Sequence, residues 1–494
     1  MNEETILNPN KIVQYLDKPA DDFTKKDIIK FVEDNGIEML NFRYVGGDGR
    51  LKTLNFVINS KKHLDHMLST GERVDGSSLF SYIPATSSDL YVVPRYKTAF
   101  VNPFTEFPTV DILCSYYTSA GLPFSSSPEN IIKNAYNILK ERTGFSFEVC
   151  GELEYYLLSE IDPIYPIIEQ KGYHESHPFS KWGSVRREAM KVIAEIGGKI
   201  KYGHAEVGNI INGDLEMVQH EIEFLAGPAP EAADQLVLAK WAIRETAYKY
   251  GMEVSFAPKI IVGHAGSGFH IHTRLVKDGK NEMVAEDGLS DTAKKLIAGF
   301  LMLAPSLTAF GNTVPTSFLR LVPHQEAPTA ICWGDRNRSV LVRVPLGWLG
   351  VDDMIRDANP AEPEDTSEHM NRQTVEFRSP DGSANVHRLL AGLTVAALYG
   401  LEHKDALELA EELYVSVDAS TIKGLKQLPA SCWEAAEKLL EDREFYENHG
   451  VFPQGMIDKL AKDLQQHNDK GLSEKLFGNA DALKELVDKY IHCG

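Results

Sequence analysis

The sequence predicts an α+β protein of two unequal parts. Three observations carry the prediction: a single helix leading into a strand-rich stretch, a link punctuated by Gly, Pro and Ser at 121–128, and beyond it a long region of interleaved helical and short strand patterns. Thr24 before Ile28, Ile29, Phe31 and Val32 reads as the N-cap of a short amphipathic helix that Gly36 ends. Apolar, β-branched runs at 40–45 and 51–58 flank Gly46, Gly47, Asp48 and Gly49, the pattern of a β-hairpin. Further short strands run to about Tyr116. The expected division is an N-terminal extension at 1–23, a small unit at 24–121 and a large one at 128–494. In the large unit, helical patterns at 129–142, 230–250, 290–310 and 386–399 alternate with strands, and helices dominate after Trp433. The acidic stretch 350–372, with Pro360 and Pro363 and no sustained periodicity, reads as a long loop.

With 494 residues the chain has room for about three domains or two unequal ones, and 43% hydrophobic with 25% charged residues is ordinary globular composition. A formal charge of −20 has the wrong sign for neutralising nucleic acid or anionic membranes. Five scattered cysteines suggest neither a disulfide framework nor a CxxC metal site, the N-terminus has no secretory pattern, and the longest apolar runs fall short of a membrane span. A cytoplasmic protein is expected.

Chemistry gathers on short strands. Around Glu152 and Glu154 the odd positions are mostly apolar, so a strand would project both carboxylates from its other face. Gln219, Glu221 and Glu223 alternate in the same way, as do His270 and His272 after Gly266, Ser267 and Gly268, and Glu376 and Arg378 flank Phe377. Any one pair is compatible with a solvated sheet face. Four such segments are better explained by one shared polar cavity, and carboxylates with imidazole but no thiolate favour hard ions such as Mg²⁺ or Mn²⁺ over structural zinc. Arg320, Arg336, Arg338, Arg343 and Arg378 fall in a window with Pro323, Glu326 and Pro328, and arginine clamps carboxylate and phosphate through paired hydrogen bonds. Carboxylate-bound metals with several arginines suit phosphoryl transfer. No GxxxxGK[ST] motif is present, so a nucleotide would bind without a P-loop.

These residues, in this order, resemble glutamine synthetase, most closely the bacterial type I family, from about Thr24 to near the C-terminus. The motifs are Asp75-Gly76-Ser77-Ser78, Gly151-Glu152-Leu153-Glu154, the glycine-rich segment from Gly266 to His272, Arg320-Leu321-Val322-Pro323 with Glu326-Ala327-Pro328, Asn337-Arg338-Ser339 and Glu376-Phe377-Arg378. The resemblance implies a small β-grasp N-terminal domain, a large catalytic domain with a curved antiparallel sheet and surrounding helices, and a dodecamer of two hexameric rings with sites shared between subunits. It implies ATP-dependent ligation of ammonium to the γ-carboxylate of glutamate through a γ-glutamyl phosphate. Glu154, Glu206 and Glu221 would hold one divalent ion, and Glu152, His270 and Glu376 a second. Arg320 and Gly266 would bind glutamate, Arg338 and Arg378 would face phosphate and the reacting carboxylate, and His272, Arg338 and Arg343 would bind ATP. Asp75, from a neighbouring subunit, would take ammonium and help remove its proton, and Glu326 would close the site on a flap.

Three departures from the family pattern stand out. Ala265 occupies a position usually held by Asn. Residues 209–215 lengthen the stretch between Glu206 and Glu221, which makes Glu216 a rival ligand, and 350–372 also looks inserted. Two other readings accompany the main one: a γ-glutamyl-amine ligase of polyamine type on the same scaffold, kept open by Ala265, and a non-catalytic structural or regulatory homologue.

Overall fold

The computed structural model describes residues 3–83, 88–285, 288–322, 327–347, 354–363, 372–476 and 478–494. Near its start, Thr24 caps the helix Lys25–Asp34: the Thr24 hydroxyl accepts from Asp27 N, and the Asp27 carboxylate accepts from Thr24 N. Six strands follow, β1 (Met39–Val45), β2 (Leu51–Val57), β3 (Glu72–Asp75), β4 (Asp89–Pro94), β5 (Phe100–Val101) and β6 (Thr109–Tyr117), in the order β2-β1-β6-β4-β3 with β5 beside β6. β1 and β2 form the expected hairpin, and β1 runs parallel to β6. Ile28, Phe31 and Val32 bury the helix against Leu40, Phe42 and Ile112, the arrangement of a β-grasp. The same core takes in Ile12 and Val13, and Phe124 of the link packs on it.

The large unit is built on a ten-stranded sheet. Its strands are β7 (Ser146–Glu160), β8 (Ile200–Asn212), β9 (Leu215–Phe224), β10 (Gly227–Pro228), β11 (Glu253–Ser255), β12 (Phe269–Lys277) and β13 (Lys280–Asn281), then, after a separate ribbon of β14 (Val284–Ala285) and β15 (Gly288–Leu289), β16 (Trp333–Asp335), β17 (Val342–Val344) and β18 (Val375–Phe377). The order is β16-β17-β18-β12-β7-β9-β8, with β10 and β11 against β7 and β13 against β12. Among the described residues of this sheet, only β16 and β17 pair in parallel.

Helices Pro128–Thr143, Gly183–Glu195, Ala229–Lys249, Asp291–Gly311 and Val386–Glu402 share one buried core with Phe147, Val149, Leu153, Ile222, Ile271 and Phe377 of the sheet. The four helices expected from periodicity lie among them. Asp291–Gly311 is long and apolar enough to cross a membrane by length and composition, yet most of it is buried inside this fold. Its backbone meets that of Val386–Glu402 closely: a Cβ on Gly299 would lie 2.1 Å from Ala396 O, and one on Gly400 2.1 Å from Lys295 O. The stretch expected as a loop at 350–372 contains a five-residue helix, Met354–Ala358, too short for periodicity to reveal. The two units meet where Arg95 Nη1 bonds Asp234 Oδ2 at 2.6 Å, and Asp234 Oδ1 in turn bonds His387 Nε2 at 3.0 Å.

Candidate active site

Strand parity builds the site. Phe147, Val149, Leu153 and Tyr155 of β7 face the helices, which leaves Glu152 and Glu154 on the other face. Register then collects their neighbours: Glu152 lies opposite His270 of β12 and Glu223 of β9, Glu154 opposite Glu221, His272 opposite Glu376, and Glu376 opposite Arg343. Directly opposed side chains stand about 5 Å apart, so the pairing alone brings five strands' charges together. They line a cavity of 1670 Å³.

Among the described residues, three groups have ligand atoms within 4.8 Å of one another: Glu152 with His270 and Glu376, Glu152 with Glu223 and His272, and His204 with Glu206 and Glu221. Glu152 bridges two imidazoles, Oε2 at 2.8 Å from His270 Nδ1 and Oε1 at 2.8 Å from His272 Nε2. Glu154 lies between the groups. Its Oε2 accepts from Gln219 Nε2 at 3.0 Å and Gly268 N at 2.8 Å, while Oε1 is 3.9 Å from His270 Nδ1. The predicted trio of Glu154, Glu206 and Glu221 is thus present in one cavity, with His204 rather than Glu154 nearest the other two. Glu216 is buried and does not line the cavity.

Arginines border the same cavity. Arg343 Nη1 donates to Glu376 Oε2 at 2.8 Å and Arg378 Nε to Glu376 Oε1 at 3.0 Å, while Arg378 Nη1 also donates to the backbone oxygen of Arg338. Arg320 is held by backbone carbonyls, Nη1 by Ser379 at 2.9 Å and Pro380 at 3.2 Å and Nη2 by Arg378 at 3.3 Å. Gly266, His272, Arg320, Arg338, Arg343 and Arg378 all border the cavity. Asp75 does not: it is exposed and caps the helix Gly76–Leu79, its carboxylate accepting from Ser77 N at 2.9 Å, Ser77 Oγ at 2.7 Å and Ser78 Oγ at 2.7 Å. The hydroxyls of Ser78, Ser77 and Ser88 hold it far below the ordinary carboxylate range. Glu326 lies outside the described residues.

The electrostatics divide the carboxylates. Burial raises the pKa of Glu221, and repulsion from Glu152, Glu154, Glu206 and Glu223 pushes it well above its ordinary value. Burial opposes ionisation of Glu152 as well, but His272 and His270 outweigh it and hold that carboxyl well below. Glu376 is also lowered: burial and Glu152 resist its charge, and His272, Arg378 and His270 prevail. A buried acid held up by four like charges is what a divalent cation would relieve, and Glu223 Oε2 is a further buried oxygen with no partner among the described residues. Oxygen-rich donor sets with one imidazole fit a hard ion.

The Gln219, Glu221, Glu223 alternation put Glu223 in the cavity, where an ion pair with Lys201 holds it in place, but other cavity residues escaped sequence reasoning. His204 precedes Glu206 by two residues and was legible by the same spacing. Gln170, Tyr173 and His174 come from the irregular stretch before Gly183, which carries no periodic signal.

A family model described as the glutamine synthetase catalytic domain matches residues 125–466, and one described as the glutamine synthetase beta-grasp domain matches 36–119. The chain is 30% identical to a glutamine synthetase of Clostridium saccharobutylicum over 433 residues, covering 85% of this chain and 90% of that protein. It is 28% identical to one of Mycobacterium tuberculosis over 475 residues, covering 88% and 93%. Among solved structures it resembles the Plasmodium falciparum glutamine synthetase, with TM-score 0.74 at 18% identity over 93% of this chain and 98% of that one. It also resembles a ligand-free GmaS, with TM-score 0.72 at 19% identity over 92% and 100%.

Proposed function

Because the chain belongs to the glutamine synthetase family, we propose that it joins ammonium to the γ-carboxylate of glutamate, converting ATP to ADP and phosphate. The observation that carries this reading is the meeting in one cavity of Glu152, Glu154, Glu206, Glu221 and Glu376 with Arg320, Arg338, Arg343 and Arg378. A carboxylate is a poor acyl donor, since direct attack by ammonia would have to expel an oxide-like group. Transfer of the γ-phosphoryl group of ATP to the carboxylate creates a phosphate leaving group, and catalysis of that transfer rests on positioning and charge neutralisation. Mg²⁺ or Mn²⁺, held by Glu152, His270 and Glu376 and by Glu154, Glu206 and Glu221, would supply positive charge to the transferring group.

The arginines do the rest of the neutralising. Arg338, Arg343 and Arg378 face phosphate, and Glu376 holds two of them through its two oxygens, so their forks are oriented before substrate arrives. Arg320 and Gly266 take glutamate, and His272, fixed by Glu152 and by Thr374 Oγ1 at 3.0 Å, borders the ATP side. Asp75 binds ammonium and assists its deprotonation from a neighbouring subunit, which accords with its exposure and its place outside its own chain's cavity. Glu326 closes the site against water. We extend the proposal to the bacterial type I class and its dodecamer of two hexameric rings, to a division of labour at 24–121 and 128–494, and to the cytoplasm, where five unbonded cysteines are at home.

Purified protein should release phosphate and form glutamine only when glutamate, ammonium, ATP and Mg²⁺ or Mn²⁺ are all supplied. Turnover with a polyamine or another amine but not with ammonium would overturn the reading in favour of a γ-glutamyl-amine ligase.

A further inference from the structure

We infer that Gln170 is a specificity-determining residue whose side-chain amide donates a hydrogen bond to the α-carboxylate of glutamate, beside Ala265, whose own side chain offers no polar atom. This rests on the reading of the cavity as a glutamate and ATP site.

Gln170 Oε1 accepts from Ala265 N at 2.9 Å, and Gln170 Nε2 donates to Asn209 O at 3.2 Å. A donor on one side and an acceptor on the other fix which end of the amide is oxygen, because the flipped amide would break both bonds. The nitrogen carries two hydrogens, and Asn209 O takes one of them. Gln170 lines the cavity together with Ala265, Gly266 and Arg320. The carbonyls of that wall are already engaged: Ala265 O accepts from Tyr156 OH at 2.8 Å and Gly266 O from Gln219 Nε2 at 3.0 Å. The second amide hydrogen of Gln170 therefore adds a neutral donor to the lining it shares with Ala265, Gly266 and Arg320.

The placement is built rather than incidental. Gln170 sits at φ 54°, in the left-handed region, and its backbone N also donates to Asn209 O, at 3.1 Å. Asn209 Nδ2 grips the same loop at Ile168 O, at 3.2 Å. Asn209 opens the lengthened 209–215 stretch and lies at the register shift between β8 and β9. Two departures noted in the sequence, Ala265 and the added residues, are thereby joined through one side chain.

The test is steady-state kinetics on the full chain with Gln170→Ala and the bulk-preserving Gln170→Met, each also combined with Ala265→Asn. A hydrogen bond to a charged group predicts a rise of about tenfold or more in KM for glutamate, with KM for ATP and ammonium within about twofold of wild type. Preference for glutamate over 4-aminobutyrate, which lacks the α-carboxylate, should fall in parallel, and Ala265→Asn should restore both. An unchanged glutamate KM, glutamate and ATP KM rising together, or no rescue would overturn the inference while leaving the ligase reading intact. A wild-type protein without glutamate-dependent phosphate release would overturn both.

Discussion

Gly268 is where the smallest change should do the most damage. A Cβ built on it would lie 2.6 Å from Arg320 Nη2, 2.8 Å from His270 Nε2 and 3.1 Å from Glu154 Oε1. Ordinary contacts need about 3.5 Å, so Gly268→Ala must push the Arg320 guanidinium by close to 1 Å and the others by less. None of the three can swing away freely. Arg320 is held by the carbonyls of Ser379, Pro380 and Arg378, His270 by Glu152, and Glu154 by Gln219 and by Gly268 N itself. Misplacement of reacting groups by about 1 Å can cost 10²-fold in rate, or about 2.7 kcal/mol of transition-state stabilisation. Gly268→Ala should therefore lose about 10²-fold in kcat/KM in a coupled phosphate-release assay, while thermal melting still shows a cooperative fold. Wild-type kcat/KM for glutamate and ATP would refute the reasoning, because it would mean that Arg320, His270 and Glu154 do not work in this spacing.

Asp75→Asn keeps the helix cap but removes the charge, so KM for ammonium should rise about tenfold or more with ATP-dependent thermal stabilisation unchanged; equal loss of both would make Asp75 structural. Glu376→Gln leaves Arg343 and Arg378 without their counter-ion and should lower stability by about 3 kcal/mol in urea titrations as well as abolishing activity; a stable, inactive variant would contradict the first half. Glu221, raised by burial and its neighbours, must lose its proton to hold a cation, so Mg²⁺ binding near neutral pH should release protons, seen by calorimetry in buffers of differing ionisation enthalpy, and Glu221→Gln should reduce the release. Burial, with Arg244 adding repulsion, pushes Lys240 from 10.5 down to about 7, a burden of about 5 kcal/mol on the folded state at low pH. Between those two values the unfolded chain binds more protons, so this burden lifts as pH rises; stability should gain about 2 kcal/mol more between pH 7 and 9 in wild type than in Lys240→Met, and identical pH dependence would refute it.

Much of this was legible because a strand's period is two. Alternation around Glu152, His270 and Glu376 marked one face without any knowledge of which strands were neighbours, and the long helices announced themselves by their apolar period. Pairing order was not legible: nothing local says that Glu154 lies across from Glu221, or that β8 shifts register between Ala205 and Asn209. His204 pairs with Glu221 just before that shift and joins Glu206 and Glu221 in one group of ligand atoms, which Glu154 does not. Gln170, Tyr173 and His174 were invisible for a different reason. They stand on irregular chain whose shape is dictated by hydrogen bonds to β8, so their position is a tertiary fact with no periodic trace. Met354–Ala358 is the opposite failure, a local element too short to register.

The lining of the cavity also bears on how substrates arrive. Basic and acidic side chains border it in nearly equal number, so the surplus that gives the chain its charge of −20 lies elsewhere on the molecule. From a distance an approaching anion meets the repulsion of that exterior and feels the arginines only within about one Debye length, roughly 8 Å at physiological salt. Moderate salt should therefore speed capture of nucleotide and glutamate, while slowing that of ammonium and divalent cations, which the same exterior draws in.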